Sequence, residues 1–443
     1  MSTQDLVLGL DVGTTSAKAS LFSLNGTVLA QGRARTPWRR ANLHATSGAS
    51  LGTELSPEAL INAVQEAIST ALQQHTSGQV VAVGVTSMGE SGVLLDSSGA
   101  PIAPVIAWHD TRDKSLVLDL EDSVGGEEFS RTTGLPLLPQ WSLTKHRWQQ
   151  DNFPSHEHVS RRLSIAEWIV HRLGGEQASD ISLASRTGWL DLTNRSWWQT
   201  TLEWSRTRES ILPPLVDSGT PLGKVDSHLS RLDGAVLTTA GHDHQAAALG
   251  ADATGPGDQL DSHGTAEALV RTVAPSTVGP QARISLASAG VTIGWHAQKD
   301  RWALLGATQG GLVLERIARL FDIGPNTVET LNDAARDITE TTIEVALTDA
   351  GNLRIDGIHD DASQGEVWAA GAKQIVSDIG AVNQLMNRVA GRQARTISAG
   401  GWSSNPLLVE LKRNVFGESI SSLISEPGAW GAAKLALQAA EHI

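Results

Sequence analysis

Two apolar runs in this chain each contain an acidic residue and end in a Gly-Thr pair. The first is LGLDVGTT near the N-terminus, and the second is QLDSHGT past the middle of the chain. A continuous apolar run is typical of a buried strand, and glycine allows the tight turn that follows it. Because another strand-like run follows each turn, both segments predict a β-hairpin. A motif that occurs once in each half indicates an internally duplicated fold.

Strand-like and helix-like segments alternate around these hairpins, which is typical of α/β layers. A capping Ser, a Pro and an acid at 56–58 predict a helix that runs to about His75. The chain has 443 residues, more than one ordinary core accommodates, and the strand pattern restarts at 236–240. We therefore expect two domains, 1–250 and 251–443.

The formal net charge of −14 and the absence of cysteine exclude several classes of function. A chain this acidic repels nucleic acid and anionic membranes. Without cysteine it has no disulfide framework and no thiol chemistry. The N-terminus lacks the basic and long apolar regions of a signal peptide, and no stretch approaches the ~20 apolar residues of a membrane span. We expect a cytoplasmic protein with no nucleic-acid or membrane partner.

The first Gly-Thr turn has the chemistry of a phosphate site. Gly13 brings the backbone close to a ligand, and the hydroxyl groups of Thr14 and Thr15 can cradle phosphate oxygens together with successive N–H groups. Asp11, at the end of the strand, can hold Mg²⁺ directly or through water. Lys18, on the next strand, can reach a phosphate. An ordinary hairpin with polar turn residues is the alternative interpretation.

Glycines in the second half offer further contacts for a nucleotide, which we expect to lie between the two copies of the fold. The turn at Gly264 and Thr265 can hold phosphate in the same way as the first turn. The pair at 400–401, which precedes a helix and Asn405, leaves a flat backbone on which a purine can lie. A tight strand-to-helix connection explains that pair equally well. Gly310, at the start of another predicted helix, offers a second backbone surface for the nucleotide to contact.

A carboxylate follows the apolar strand at 236–240. Asp243 lies in a Gly-His-Asp-His turn, a setting that suits a general base because the carboxylate must reach a hydroxyl proton. A metal site with His242 and His244 is the alternative. It is less favoured, because the sequence shows no further cluster of ligands.

Polar residues near a tryptophan indicate a sugar-binding floor. Glu90 and Asp110 can accept hydrogen bonds from sugar hydroxyls, and a sugar ring can stack on Trp108. Packing in the core is the more common position of a tryptophan and is the alternative interpretation.

These features resemble, in order and over nearly the whole chain, the FGGY carbohydrate kinases of the actin-like ATPase superfamily. The strings that carry the resemblance are LGLDVGTTSAK, PVIAWHDTR, SDISLASRTGWLDL, AGHDHQAAALGA, DSHGTAEALV and SAGGWSSNPLLVELK. It implies two RNase H-like α/β lobes with the active site in the interdomain cleft, and ATP and Mg²⁺ as cofactors. It implies phosphate contacts at Gly13, Thr14, Thr15, Gly264 and Thr265, adenosine contacts at Gly310, Gly400, Gly401 and Asn405, a magnesium role for Asp11, a catalytic base at Asp243, and sugar contacts at Glu90, Trp108 and Asp110.

The chain departs from the family pattern in two places. In PQWSLTKHRW, Lys145 and Trp148 keep their spacing, but His146 and Gln149 replace apolar positions. The stretch 312–395 is shorter than in most members. These departures leave the oligomeric state undetermined, and a homodimer is one of the candidates.

The acceptor expected from the sequence is a neutral ketose or polyol, as in xylulose-type kinases. Glycerol kinases usually carry Arg-Glu where this chain has Gly89-Glu90. Glu90 and Asp110 also place negative charge near the acceptor, which disfavours gluconate. A non-kinase actin-like ATPase is a further alternative, although it should lack the Gly-His-Asp segment and the tryptophan segment.

Overall fold

A computed structural model describes residues 5–42, 51–226, 231–264, 266–322, 324–348 and 352–441. The chain divides into two compact units. Unit 1 comprises the described residues of Met1–Gly250, Ala274–Ala303 and Glu426–Ile443, and unit 2 those of Ala251–Val273 and Leu304–Ser425. The chain thus enters unit 2 after Gly250, but two later segments of the expected 251–443 domain group with unit 1. The assignment of sugar and adenosine binding to separate domains stays a prediction.

The secondary structure is mixed. The strands are β1 (Asp5–Val12), β2 (Ser16–Ser23), β3 (Val28–Arg35), β4 (Arg39–Asn42), β5 (Leu51–Leu55), β6 (Gln79–Ser87), β7 (Gly92–Leu95), β8 (Val105–Ile106), β9 (Arg161–Ser164), β10 (Ser179–Asp180), β11 (Leu190–Asp191), β12 (Ser196–Trp197), β13 (Leu215–Val216), β14 (Val236–His242), β15 (Asp258–His263), β16 (Glu267–Val273), β17 (Thr292–Trp295), β18 (Trp302–Thr308), β19 (Glu344–Leu347), β20 (Leu353–Asp356), β21 (Arg395–Ala399) and β22 (Ser419–Ser421). The α-helices are α1 (Pro57–Gln74), α2 (Lys114–Val124), α3 (Gly126–Thr133), α4 (Ser142–Asn152), α5 (Ile165–Arg172), α6 (Ile181–Ala184), α7 (Gln199–Trp204), α8 (Asp243–Gly250), α9 (Pro280–Ser288), α10 (Gly310–Leu320), α11 (Pro325–Arg336), α12 (Gln364–Ala390), α13 (Pro406–Phe416) and α14 (Pro427–Glu441).

The main sheet of unit 1 has the strand order β14-β6-β1-β2-β3. Strand β1 pairs antiparallel with β2 and parallel with β6, and β2 pairs antiparallel with β3. The predicted N-terminal hairpin is therefore confirmed, and β3 extends it by one antiparallel strand. Opposite the turn, Asp11 is the register partner of Lys18.

The strands of unit 2 repeat this arrangement. Their order is β18-β16-β15-β21-β22, and β15 pairs antiparallel with β16 and parallel with β21. The strand that leads into the Gly turn is β1 in unit 1 and β15 in unit 2. Each pairs antiparallel with the next strand, β2 or β16, and parallel with a later strand, β6 or β21. The predicted internal duplication is confirmed at the level of strand pairing.

Helix α14 lies directly on the sheet of unit 1 because glycines remove the side chains between them. A Cβ at Gly9 would lie 1.9 Å from the carbonyl oxygen of Ala429, and one at Gly84 would lie 2.0 Å from that of Ala432. This contact fixes the start of the helix beside the end of β1, where a Cβ at Gly428 would lie 2.8 Å from Asp11 Oδ2.

Strand β14 continues further than the sequence predicts. Gly241 has a left-handed φ of +72°, and the pairing of β14 with β6 is irregular between Thr239 and His242. The carbonyl oxygen of Gly241 accepts a hydrogen bond from Thr86 Oγ1 at 2.7 Å, which holds this irregular segment in place. Asp243 therefore lies at the first residue of α8 and not in a glycine turn, which corrects the prediction from the sequence.

Within the described residues, no helix is both long and apolar enough to cross a bilayer.

Candidate active site

The turn between β1 and β2 has the form expected of a phosphate-binding hairpin. The backbone N–H of Gly13 donates to the carbonyl oxygen of Ser16 at 3.1 Å, and Thr36 Oγ1 donates to the carbonyl oxygen of Gly13 at 2.8 Å. A Cβ at Gly13 would find only one atom within 4 Å, at 3.8 Å, so the backbone face of the turn is open. Thr15 is exposed at its tip.

Two indole groups hold Thr14 in this turn. Trp38 Nε1 donates to its carbonyl oxygen at 2.8 Å, and Trp108 Nε1 donates to its hydroxyl oxygen at 2.9 Å. Since a hydroxyl that accepts one bond keeps its own proton to donate, Thr14 can still donate to a phosphate oxygen. Trp108 thus contacts the turn at 13–15 directly, a role that the sequence did not indicate. Trp38 was missed altogether, since a lone tryptophan beyond the hairpin gives no signal.

Lys18 projects from β2 and is ion-paired. Its Nζ lies 2.8 Å from Glu426 Oε2, and both side chains are about a quarter to a third exposed, at 30% and 26%. Glu426 immediately precedes α14, so the packing of that helix on the sheet determines where this carboxylate lies. No motif in the sequence marks Glu426.

Asp243 lies close enough to Asp11 for its charge to act on the pKa of Asp11. Burial raises the pKa of both carboxyl groups to about 7. The charge of Asp243 raises the pKa of Asp11 further, while the cation of Lys18 lowers the pKa of both. No described hydrogen bond reaches the carboxylate of Asp11. A carboxylate without donors beside a second carboxylate is a site that suits a cation.

Only one oxygen of Asp243 is engaged. Its Oδ1 accepts a hydrogen bond from the backbone N–H of His244 at 2.7 Å, and no described hydrogen bond reaches Oδ2. The rings of His242 and His244 stack with centroids 5.6 Å apart, and burial lowers the pKa of both. Among the described residues, no group of three or more His, Cys, Asp or Glu side chains is arranged to hold a metal ion. The alternative of a His-Asp-His metal site is therefore without support.

Glu90 is held by an arginine that the sequence analysis did not single out. Arg186 donates from Nε to Glu90 Oε1 at 2.8 Å, and its Nη2 lies 2.6 Å from the same oxygen. The backbone of Glu90 has a left-handed φ of 62°, uncommon for a residue with a side chain. Ser142 Oγ donates to its carbonyl oxygen at 2.5 Å, which helps to hold this conformation.

Asp110 uses all of its carboxylate within the protein. Oδ1 accepts from the backbone N–H and from Nε of Arg112, at 2.9 and 3.0 Å. Oδ2 accepts from Arg112 Nη2 at 2.8 Å and from the backbone N–H of Thr53 at 2.5 Å. The side chain is 3% exposed. The structure therefore does not leave Asp110 free to accept hydrogen bonds from a sugar. Both Glu90 and Asp110 are ion-paired, so their negative charge does not disfavour gluconate as the sequence predicted.

Lys145 supports the segment that carries Asp110. Its Nζ donates to the carbonyl oxygen of Asp110 at 2.7 Å and to that of Pro139 at 3.1 Å, and it lies 3.4 Å from Asp113 Oδ1. Beside it, His146 packs edge-on against Trp189, with ring centroids 5.5 Å apart. This departure from the family pattern is thus accommodated inside unit 1.

The second turn, in unit 2, is also open. The backbone N–H of Gly264 donates to the carbonyl oxygen of Ala266 at 3.0 Å, and a Cβ at Gly264 would meet only that oxygen, at 3.7 Å. Thr265, predicted to contact phosphate, lies outside the described residues.

A buried cluster of charges underlies this turn, and the sequence did not indicate it. Lys412 Nζ lies 2.7 Å from Asp261 Oδ2 and also pairs with Glu267. It contacts His263 Nδ1 at 3.2 Å. Burial and the neighbouring charge of Asp261 raise the pKa of Glu267. Two buried carboxylates thus share one lysine.

Of the other predicted residues of unit 2, some are already engaged in packing or capping and one faces open space. Gly400 has φ +100° and packs on the backbone of His263, whereas a Cβ at Gly401 would meet nothing within 4 Å. A Cβ at Gly310 would lie 2.7 Å from Glu267 Oε2, so tight packing already accounts for that glycine. Asn405 caps α13, where its Oδ1 accepts from the N–H of Leu408 at 3.1 Å. Gly401 therefore offers the open surface, and Asn405 is engaged in the helix cap.

Comparison with known proteins identifies the class to which this chain belongs. Residues 6–250 match the FGGY family of carbohydrate kinases, N-terminal domain. The chain therefore belongs to the FGGY family of carbohydrate kinases and is a phosphotransferase.

Individual relatives differ in the substrates that their names give. The chain is 28% identical to a glycerol kinase of Rhizorhabdus wittichii, over 96% of this chain and 86% of the relative. The ligand-bound xylulose kinase of Lactobacillus acidophilus superposes with a TM-score of 0.84 at 20% identity, covering 99% of this chain and 90% of that one. The glycerol kinase of Plasmodium falciparum, solved with ADP, has a TM-score of 0.83 at 18% identity, covering 98% and 90%. These likenesses confirm the predicted fold class.

Proposed function

We propose that this carbohydrate kinase transfers the γ-phosphoryl group of ATP to a hydroxyl group of a neutral ketose or polyol, with Asp243 as the general base. The observation that carries the proposal is the carboxylate of Asp243. It lies at the start of α8 with Oδ2 unengaged and a pKa raised to about 7 by burial. A base with a pKa near the working pH is the most effective in proton transfer.

The proposed reaction is a direct in-line displacement. Asp243 Oδ2 takes the proton of the acceptor hydroxyl as that oxygen bonds to the γ-phosphorus. The bond from the γ-phosphorus to the bridging oxygen breaks, and ADP leaves. In phosphoryl transfer the protein forms few covalent bonds itself. Most of the catalysis comes from positioning the reactants and from stabilising the charge of the transferred phosphoryl group.

We assign the phosphate-binding role to the turn at 13–15, whose backbone face is open and whose Thr14 hydroxyl keeps a proton to donate. Lys18 adds a cation beside it. Mg²⁺, when bound, neutralises phosphate charge, and Asp11 would hold it mainly through water, as is usual for this ion. In unit 2, Gly264 would meet phosphate, and Gly310, Gly400 and Gly401 would contact the adenosine.

The charge balance around Asp243 favours an uncharged acceptor. Two cations act on its pKa, Arg186 and Lys18. Each is already paired with a carboxylate, Glu90 and Glu426 respectively. Neither is left without a counter-ion to bind the carboxylate of a sugar acid. Glycerol is the second candidate, because several relatives with 26–30% identity are glycerol kinases.

A substrate panel tests the proposal. The purified protein is assayed for ADP release with ATP, Mg²⁺ and a set of pentuloses, hexuloses, polyols that include glycerol, and aldonates. We expect turnover that depends on a ketose or polyol. Turnover fastest with an aldonate would contradict the neutral acceptor. ATP hydrolysis that no acceptor stimulates would instead indicate a non-kinase ATPase.

Asp243→Asn is the companion variant. It keeps shape and hydrogen-bonding capacity but removes the basic carboxylate, so we expect turnover to fall about 10²–10⁴-fold. The melting temperature and the binding of ATP should stay close to wild type. A well-folded variant with near wild-type turnover would mean that the base lies elsewhere.

A further inference from the structure

Arg186 makes an unusual set of contacts just beyond α6. The side chain is 7% exposed, and its Nε and Nη2 both approach Glu90 Oε1, at 2.8 and 2.6 Å. Nη1 donates to Thr292 Oγ1 at 2.6 Å, and the guanidinium lies over the ring of Trp141 at 5.0 Å. Contacts on three sides fix the guanidinium in one position.

The consequence for Glu90 is that its two carboxylate oxygens differ. Oε1 receives both contacts from Arg186 and a further hydrogen bond from Gln140 Nε2 at 3.3 Å. No described hydrogen bond reaches Oε2. The backbone cannot easily reorient the group, since the carbonyl of Glu90 is tied to Ser142 and its φ is left-handed. Glu90 therefore presents one saturated oxygen and one oxygen that can accept a hydrogen bond.

Glycine at position 89 makes this arrangement sterically feasible. A Cβ there would lie 2.8 Å from Cδ2 of His242 and 3.2 Å from Cγ of Arg186. Any side chain at 89 would push against the aliphatic part of Arg186. The space beside Glu90 is thus occupied by the stem of an arginine from a distant part of the chain.

We propose that Arg186 is a positioning and specificity-determining residue for the acceptor. It saturates Glu90 Oε1 and leaves Oε2 to accept a hydrogen bond from an acceptor hydroxyl. An ionised carboxylate accepts hydrogen bonds and has no proton to donate. Oε2 therefore selects a hydroxyl group of the acceptor at that place. This inference rests on the proposed function and deepens it, since it names the group that orients the acceptor.

Three variants test the proposal by steady-state kinetics with the best acceptor from the substrate panel. Arg186→Met removes the guanidinium. Arg186→Lys keeps the positive charge but loses the pair of N–H donors that contact Glu90, and Glu90→Gln removes the carboxylate charge. A hydrogen bond to a charged group contributes about 1.5–3 kcal/mol, so Arg186→Met should raise KM for the acceptor about tenfold or more. KM for ATP should change by much less. Arg186→Lys should recover part of the loss, which keeps the test valid if the Met variant folds poorly.

The double variant separates an action through Glu90 from a direct contact with the acceptor. In the Glu90→Gln background, Arg186→Met should have little further effect on KM, because the two residues act as one unit. Effects that add in full would mean that Arg186 contacts the acceptor itself and would overturn the positioning role.

Arg283→Met is the matched control. Arg283 is also buried, donates to Thr193 Oγ1 at 3.0 Å and lies over Trp302 at 5.4 Å, but it makes no described contact with Glu90. We expect a lower melting temperature and an unchanged acceptor KM. If Arg186→Met behaves in the same way, the inference is wrong and the kinase assignment still stands. If the wild-type protein uses no acceptor at all, both the proposed function and this inference fall.

Discussion

The contact between α14 and the sheet of unit 1 makes a strong prediction at Gly84. A Cβ on this residue would lie 2.0 Å from the carbonyl oxygen of Ala432 and 2.6 Å from its carbonyl carbon, whereas ordinary contact begins at 3.4 Å. The obstacle is backbone, so no rotamer change relieves it. The helix cannot slide aside, because Gly9 and Gly431 form equally close backbone contacts on either side.

The expected cost follows from this geometry. Inserting a methyl group into a well-packed core costs typically ~1–3 kcal/mol, and an immovable helix places Gly84→Ala at the upper end. For a domain of this size, ~3 kcal/mol corresponds to a fall in melting temperature of roughly 5 °C or more. Displacement of α14 should also weaken the pair between Glu426 and Lys18, so we expect turnover per folded molecule to fall as well.

Thermal and urea melts of Gly84→Ala and Gly279→Ala provide the measurement. Gly279 also belongs to unit 1, but a Cβ there would meet nothing within 4 Å, so the control should melt close to wild type. If the two variants melted at the same temperature, α14 would not lie directly on the sheet, and the placement of Glu426 would lose its explanation.

Three further predictions concern the candidate site and its surroundings. Gly401→Val should weaken ATP binding, as measured by calorimetry. Because the added side chain enters open space, KM for the acceptor and the melting temperature should stay unchanged. Unchanged nucleotide affinity would mean that this loop is not part of the site. Trp38→Phe removes the donor to the carbonyl oxygen of Thr14, so KM for ATP should rise roughly three- to tenfold while KM for the acceptor does not; equal changes in both would refute the assignment. The folded-state pKa of Glu267 is raised from 4.5 to about 8, so its contribution to stability is present below pH 4.5 and is lost as pH rises through about 8. The melting temperature should therefore fall more steeply between pH 5 and 8 for wild type than for Glu267→Gln. Parallel plots of melting temperature against pH would contradict the raised pKa of Glu267.

Features that depend on neighbouring residues can be predicted from this sequence. The hairpins around Gly13 and Gly264, and the helix at 57–74, follow from apolar periodicity, glycine and capping residues, which act within one or two turns of chain. Residues whose side chains can serve either structure or binding cannot be assigned in this way. Asp110 and Asn405 match a binding pattern in sequence, yet their side chains are engaged with Arg112 and with the cap of α13.

The sequence by itself determined the duplicated α/β fold, the two Gly turns and the position of Asp243 after an apolar strand. Only the tertiary structure decided which charges meet. Lys18 pairs with Glu426 across 408 residues of sequence, and Arg186 pairs with Glu90 across 96. Many acids in the chain could partner either cation, and a sequence pattern ranks none of them. The choice is made when packing removes water from particular pairs, since burial sets both the strength of an ion pair and the pKa of the carboxyl groups that remain.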